Sequence, residues 1–259
     1  MLPAVFVSHG SPMLAVEDAP ARDFLKTLPG LLPERPKAIL AVSAHWERLR
    51  PALNAPPHNE TIHDFGGFPP ELYQLQYPAP PSADLARRAA GLLANAGIQV
   101  DIDTRRGLDH GAWVPLLVAW PEADIPVAQL SVQTRLGPEH HFRLGEALKP
   151  LREEGVLILG SGSFTHDLSS FRSSGGRLDA PEQDWVHAFA EWMTDALNAG
   201  RIDDLFGYRT QAPEAAHNHP TEEHLLPLFV TLGAGTNRIR HLHQSTTYGI
   251  LRMDAFAFG

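Results

Sequence analysis

Apolar runs of strand length recur along the chain at 4–8, 37–43, 98–102, 126–132, 155–160 and 246–251, each bounded by turn residues. Helical spacing lies between them. Ser82 can cap a helix whose apolar face is Leu85, Ala89, Leu92 and Leu93, with Gly97 as its stop. Residues 138–152 carry Phe142, Leu144, Leu148 and Leu151 at helical intervals, and 181–198 carry Trp185, Phe189, Trp192 and Leu197, closed by Gly200. This alternation predicts an α/β fold. We expect a single layered domain over 1–259, with a central, largely parallel or mixed sheet flanked by helices. Two stretches lack a period: 54–81, rich in Pro and aromatics, and 206–220. After the second, Pro220 or Thr221 is predicted to open a helix, with Glu222 and Glu223 as acids in its first turn.

Composition narrows the function. At 259 residues, 43% apolar and 20% charged, the chain has the make-up of a globular protein with a substantial core. A net charge of −9 argues against nucleic acid and anionic membranes as partners. There is no cysteine, so a metal would have to be held by imidazole, carboxylate or water. Cysteine absence also fits the cytoplasm. Met1-Leu2-Pro3-Ala4 has no positive region of a signal peptide, and no stretch approaches the roughly 20 apolar residues of a membrane span.

The candidate chemistry lies in fourteen histidines, several of them where a predicted strand stops. Ser8-His9-Gly10-Ser11-Pro12 closes the first run, Ala44-His45-Trp46 the second, and His166 follows the run 155–160 across Gly160-Ser161-Gly162-Ser163-Phe164-Thr165. Ligands of open α/β sheets bind at the carboxyl ends of strands, so three imidazoles there suggest a metal site. The plainer alternative is a set of turn histidines capping backbone groups. The Gly/Ser loop lacks the lysine of a phosphate-binding loop. Its small residues instead allow backbone to approach a ligand or metal closely. His224 is expected in the first turn of a helix, where the dipole keeps it neutral and able to ligate. Its two preceding glutamates are expected to be solvated dipole partners, with the alternative that one supplies a carboxylate. His110 is either a site residue oriented by Asp109 or a satisfied loop histidine. Trp46, His63 and Tyr248 are expected at the substrate pocket. His241 and His243 form an HxH pair, and His140, His141 and His187 are expected to face solvent.

Taken together, Ser8-His9-Gly10-Ser11-Pro12, Ser43-Ala44-His45-Trp46, Thr61-Ile62-His63-Asp64-Phe65-Gly66-Gly67-Phe68-Pro69, Asp109-His110-Gly111-Ala112-Trp113, the loop ending in His166 and Pro220-Thr221-Glu222-Glu223-His224 resemble the class III extradiol ring-cleavage dioxygenases, in their 4,5-DOPA dioxygenase-like branch. The resemblance runs in order over nearly the whole chain. It implies one mononuclear divalent metal held by His9, His45 and His224. His166 would be the acid/base or a fourth ligand, and His110 would lie at the pocket. Fe(II) would serve ring cleavage, and Zn(II) is expected in purified protein. The implied reactants are a small aromatic diol and O2. The better-studied relatives use two histidines and a glutamate, whereas the third group here is a histidine. A zinc hydrolase and a non-enzymatic metal-binding protein on the same scaffold are the alternatives.

Overall fold

The computed structural model describes residues 1–171 and 176–259. Its elements, in chain order, are β1 (Ala4–Ser8), α1 (Pro20–Leu31), β2 (Ala38–Glu47), β3 (Ala52–Asn54), α2 (Ala83–Asn95), β4 (Asp101–Asp103), α3 (His110–Ala119), β5 (Val127–Val132), α4 (Gly137–Leu148) and β6 (Val156–Gly162). They continue with α5 (Asp184–Asn198), α6 (Ile202–Phe206), α7 (Tyr208–Gln211), α8 (Ala215–Asn218), α9 (Leu226–Ala234), β7 (Ile239–His243), β8 (Thr246–Thr247), β9 (Leu251–Arg252) and β10 (Ala255–Phe258). Among the described residues the main sheet has eight strands in the order β4-β3-β5-β2-β6-β1-β10-β7. The centre is parallel, with β2 between β5 and β6 and β6 beside β1. β10 and β7 add an antiparallel edge, so the sheet is mixed.

The central strands are buried along their length because helices cover both faces. Side chains alternate across the pleat. Phe6, Leu40, Val42 and Ile158 face the layer of α2, α4, α5 and α9. Val5, Val7, Ile39, Ala41, Leu157 and Leu159 face the layer of α1 and α3. Among the described residues no helix is long and apolar enough to cross a membrane.

Several sequence expectations are corrected. The run 246–251 is not one strand: β8 and β9 flank a turn in which Tyr248 takes φ 58° and Gly249 φ 72°. The run 98–102 yields only β4, and the stretch 206–220 is built of short helices. α9 begins at Leu226, with Pro227 in its first turn, so His224 precedes the helix instead of sitting in it. His141 does not face solvent. It is fully buried, its Nδ1–H donating to the Gly137 carbonyl (2.7 Å) and its Nε2 accepting from the Gln133 amide (3.0 Å).

The small residues ending β6 have a packing reason. A Cβ on Gly160 or Gly162 would overlap the carbonyls of Pro227 and His224 respectively. Their absence lets the α9 segment lie directly on the strand, where the Ser163 amide donates to the His224 carbonyl at 2.9 Å. The backbone that approaches closely is thus that of His224, whereas a ligand or metal was expected there. We predict that Gly162→Ala costs about 1–3 kcal/mol by overpacking and shifts His224. Thermal melting and a zinc titration of the variant should show both losses.

His141 also generates a pH prediction. Burial, partly offset by its bond to Gly137, holds its pKa down at about 3. As pH falls from about 6.5 toward that value, the unfolded chain takes up a proton that the folded chain refuses, so stability is lost. The slope is about 1.4 kcal/mol per pH unit for this one group. In denaturant titrations between pH 6 and pH 4, His141→Gln should therefore lose stability less steeply than the parent by about that amount. An unchanged slope would show that His141 is not the neutral buried group described.

Candidate metal centre and substrate cavity

β1, β6 and β2 are neighbours in the sheet, and their carboxyl ends deliver the site. His9 follows β1 directly, held by its amide bond to the Gly162 carbonyl (2.8 Å). Gly10 then turns the chain away at φ 57°. β2 leaves register with β5 between Val42 and Glu47, and this bulge carries Ser43 and His45. His224 arrives from beyond the end of β6, over Gly162. On the facing element, the N-terminus of α3, Gly111 has no side chain. A Cβ there would overlap Ser43 Oγ and lie 2.9 Å from His45 Cδ2.

Three imidazoles converge. His45 Nε2 lies 3.0 Å from His9 Nε2 and 3.2 Å from His224 Nε2. The opposite nitrogens are engaged by acceptors. His9 Nδ1–H donates to Ser161 Oγ (3.0 Å), whose own hydroxyl donates to the Gly111 carbonyl. His224 Nδ1–H donates to the Glu223 carboxylate (3.0 Å). With Nδ1 protonated in both neutral rings, their Nε2 lone pairs point at His45, which can offer one proton at most. One of the two lone pairs is therefore left without a proton to accept, and the set matches the way protein imidazoles hold a cation: Nε2 inward, Nδ1–H to an outer acceptor. Each of the two pairs is close enough for ligands about 2.1 Å from a common centre, and a ring nitrogen of His110 also comes within 4.8 Å of ring nitrogens of His9 and His45. Burial, followed by the neighbouring imidazoles, holds His9 and His224 well below the usual histidine range. Burial and His110 hold His45 at about 4 despite nearby carboxylates. All three are neutral at physiological pH, as ligation requires.

The surroundings sort the remaining candidates. His166 stacks its ring flat on His224 (centroids 3.4 Å apart, planes 11°), and its amide donates to the Asn218 carbonyl. Burial holds it at about 4, against the pull of Glu223. His110 is buried with its ring 3.9 Å from that of His45. Asp109 does not orient it. That carboxylate caps α3 and accepts from Ser43, Arg106 and Gln129. Asp64 takes the role, accepting both the His110 amide and Nδ1–H at 2.9 Å. Glu223 is not a solvated dipole partner either, since it orients His224.

His45, His110 and His166 open into a cavity of about 610 Å³ whose walls are largely apolar, with Phe65 and Phe68 among them and Phe171 and Tyr248 in ring contact. Tyr248 is thus placed at the cavity, its hydroxyl donating to Glu17 (2.9 Å). Trp46 is not. It follows His45 on a strand, so it projects to the other face. There it is buried with the Arg106 guanidinium 5.0 Å above its ring, beside a separate polar cleft. His63 also does not line the cavity. It bonds the Leu75 carbonyl (3.0 Å) and backs Phe65 from behind. His241 and His243 take separate partners, Asp254 and Ser245. Sequence reasoning missed Asp64, Ser161 and Gly111, because each acts through a residue distant in the chain. Phe65 and Gly67, within the quoted motif 61–69, do reach the cavity wall.

Comparisons with known proteins give the family. Residues 3–255 match the family described as the catalytic LigB subunit of aromatic ring-opening dioxygenase. The chain is 45% identical to a 4,5-DOPA dioxygenase extradiol of Beta vulgaris, over 98% of this chain and 95% of that one. It is 39% identical to a protein of the same name from Escherichia coli K12, over 90% and 85%. A solved structure of an uncharacterized Escherichia coli K12 protein superposes with a TM-score of 0.80 at 32% identity, covering all of both chains. With the family matched along almost its entire length, the chain belongs to the LigB family and is an extradiol aromatic ring-opening dioxygenase.

Proposed function

We propose that this protein opens the ring of a catechol-type, DOPA-like diol beside its two hydroxyls, with O2 as co-substrate. One divalent metal would be held by His9, His45 and His224, the whole chain acting as one catalytic domain. The observation that carries this reading is the approach of His9 and His224 Nε2 to His45 Nε2, two of these rings with their Nδ1 protons already committed outward, beside a cavity with aromatic walls that His45 lines. Fe(II) would supply the redox change and open coordination positions; Zn(II) would fit the same nitrogens without that chemistry.

The chain's own groups do the rest. Phe65 and Tyr248 offer ring faces to a planar substrate, and about 610 Å³ leaves room for a substituted ring. His166 is neutral and stacked at the edge of the triad, so it can take a hydroxyl proton from the diol as it binds and return it later. His110 stands on the other side of His45 and can do the same at its Nε2. The apolar walls keep bulk water from the opened ring.

Oxygen uptake by protein reconstituted anaerobically with Fe(II), against a panel of catechols, tests the reading. One O2 consumed per diol, with a yellow ring-opened product, is expected. Ester or amide hydrolysis without O2 uptake would overturn it. Single changes His9→Ala, His45→Ala and His224→Ala should each abolish stoichiometric metal binding by elemental analysis. His166→Phe should keep its metal and lose roughly 10²-fold or more in kcat. Full turnover by that variant would remove His166 from the mechanism.

A further inference from the structure

Asp64 stands in the aperiodic stretch between β3 and α2, yet it is firmly placed. On one side the Ile62 amide donates to the Leu108 carbonyl (2.8 Å), and the Trp113 indole N–H donates to the Ile62 carbonyl (2.9 Å). Further along, His63 is tied to Leu75 and Phe65 packs against Phe68 and His110. These ties fix the carboxylate against the start of α3. One of its oxygens, Oδ1, accepts two bonds from a single residue: the amide and the Nδ1–H of His110, both at 2.9 Å. The other, Oδ2, is 3.8 Å from His45 Nδ1, beyond hydrogen-bond reach. Burial alone would raise the Asp64 carboxyl, but the bond and charge of His110 outweigh it and hold it at about 2.

This double contact restricts what His110 can do. The amide bond fixes Oδ1 relative to the backbone, and the Nδ1 bond then fixes the ring relative to Oδ1. Nδ1 faces an ionised acceptor and keeps its proton whether the ring is neutral or cationic. A ring nitrogen of His110 comes within 4.8 Å of ring nitrogens of both His9 and His45. We propose that Asp64 is a positioning residue for the ring-opening reaction: it holds the Nδ1 proton of His110, confining proton exchange with the substrate to Nε2. The carboxylate also faces the positive charge that forms on the ring when Nε2 takes a proton from the diol. Asp109, beside His110 in sequence, cannot serve, because Ser43, Gln129, Arg106 and the Ala112 amide occupy it.

The proposal rests on the catalytic part given to His110 above, and the test separates the two. Long-range proton–nitrogen NMR of zinc-loaded, nitrogen-15 histidine-labelled protein reads the tautomer directly. The parent should show His110 with its proton on Nδ1. Asp64→Ala should move it to a mixture or to Nε2, keep its zinc, and in the iron form lose roughly 10²-fold in kcat with KM nearly unchanged. Asp64→Asn retains an accepting oxygen but not the charge, and should recover the Nδ1 tautomer and part of the rate. In a His110→Phe background, Asp64→Ala should cost nothing further. An unmoved tautomer, loss of zinc from Asp64→Ala, or an undiminished effect in the His110→Phe background would each overturn the proposal. A fully active His110→Phe would sink the catalytic part of His110, while the tautomer shift would still uphold the Asp64 contact.

Discussion

The crowding of three imidazole nitrogens, with at least one lone pair left facing another ring, is the constraint around which the site is arranged. Nε2 atoms stand 3.0 and 3.2 Å apart with two protons turned outward, and the single proton His45 can offer serves only one of its two neighbours. To bring them so close, the fold removes side chains wherever backbone or rings must pass: at Gly111 for His45, and at Gly160 and Gly162 for the segment bearing His224. Ser161 and Glu223 then hold the protons away from the centre. Each device is a local cost, in a missing side chain or a buried acceptor, that brings neutral ring nitrogens together.

Burial serves chemistry as much as stability here. The same desolvation that keeps His141 neutral within the helix layer keeps His45 and His166 near 4. The helix dipole expected for His224 is not needed, because α9 starts two residues later and burial, followed by the neighbouring imidazoles, keeps the ring neutral. A parallel sheet covered on both faces supplies that environment at the ends of β1, β2 and β6. The site is also closed laterally by a stretch with no period of its own, which contributes both the aromatic wall and Asp64.

Much of this was legible in the chain. The runs 4–8, 37–43, 126–132 and 155–160 became β1, β2, β5 and β6, because a strand buried on both faces is a continuous apolar run. The helices begun after Ser82 and ended near Asn198 followed their 3.6-residue period. Strands of two to four residues such as β3, β8, β9 and β10 are too short to show a period, and their pairing partners lie far away in sequence.

Strand-end position along the chain pointed to His9, His45 and His166 as candidate site residues. The sequence by itself also determined the absence of thiolate ligands and the apolar period of the layers. The tertiary structure alone decided the pairings. Asp64 meets His110 from 46 positions away, and Ser161 meets His9 from 152. Trp46 turned away because the residue after His45 must take the opposite face of the pleat. Periodicity reports what a residue does to its neighbours within a few positions. Which carboxylate reaches which imidazole depends on strand order and loop path, and those are set by packing the whole chain at once.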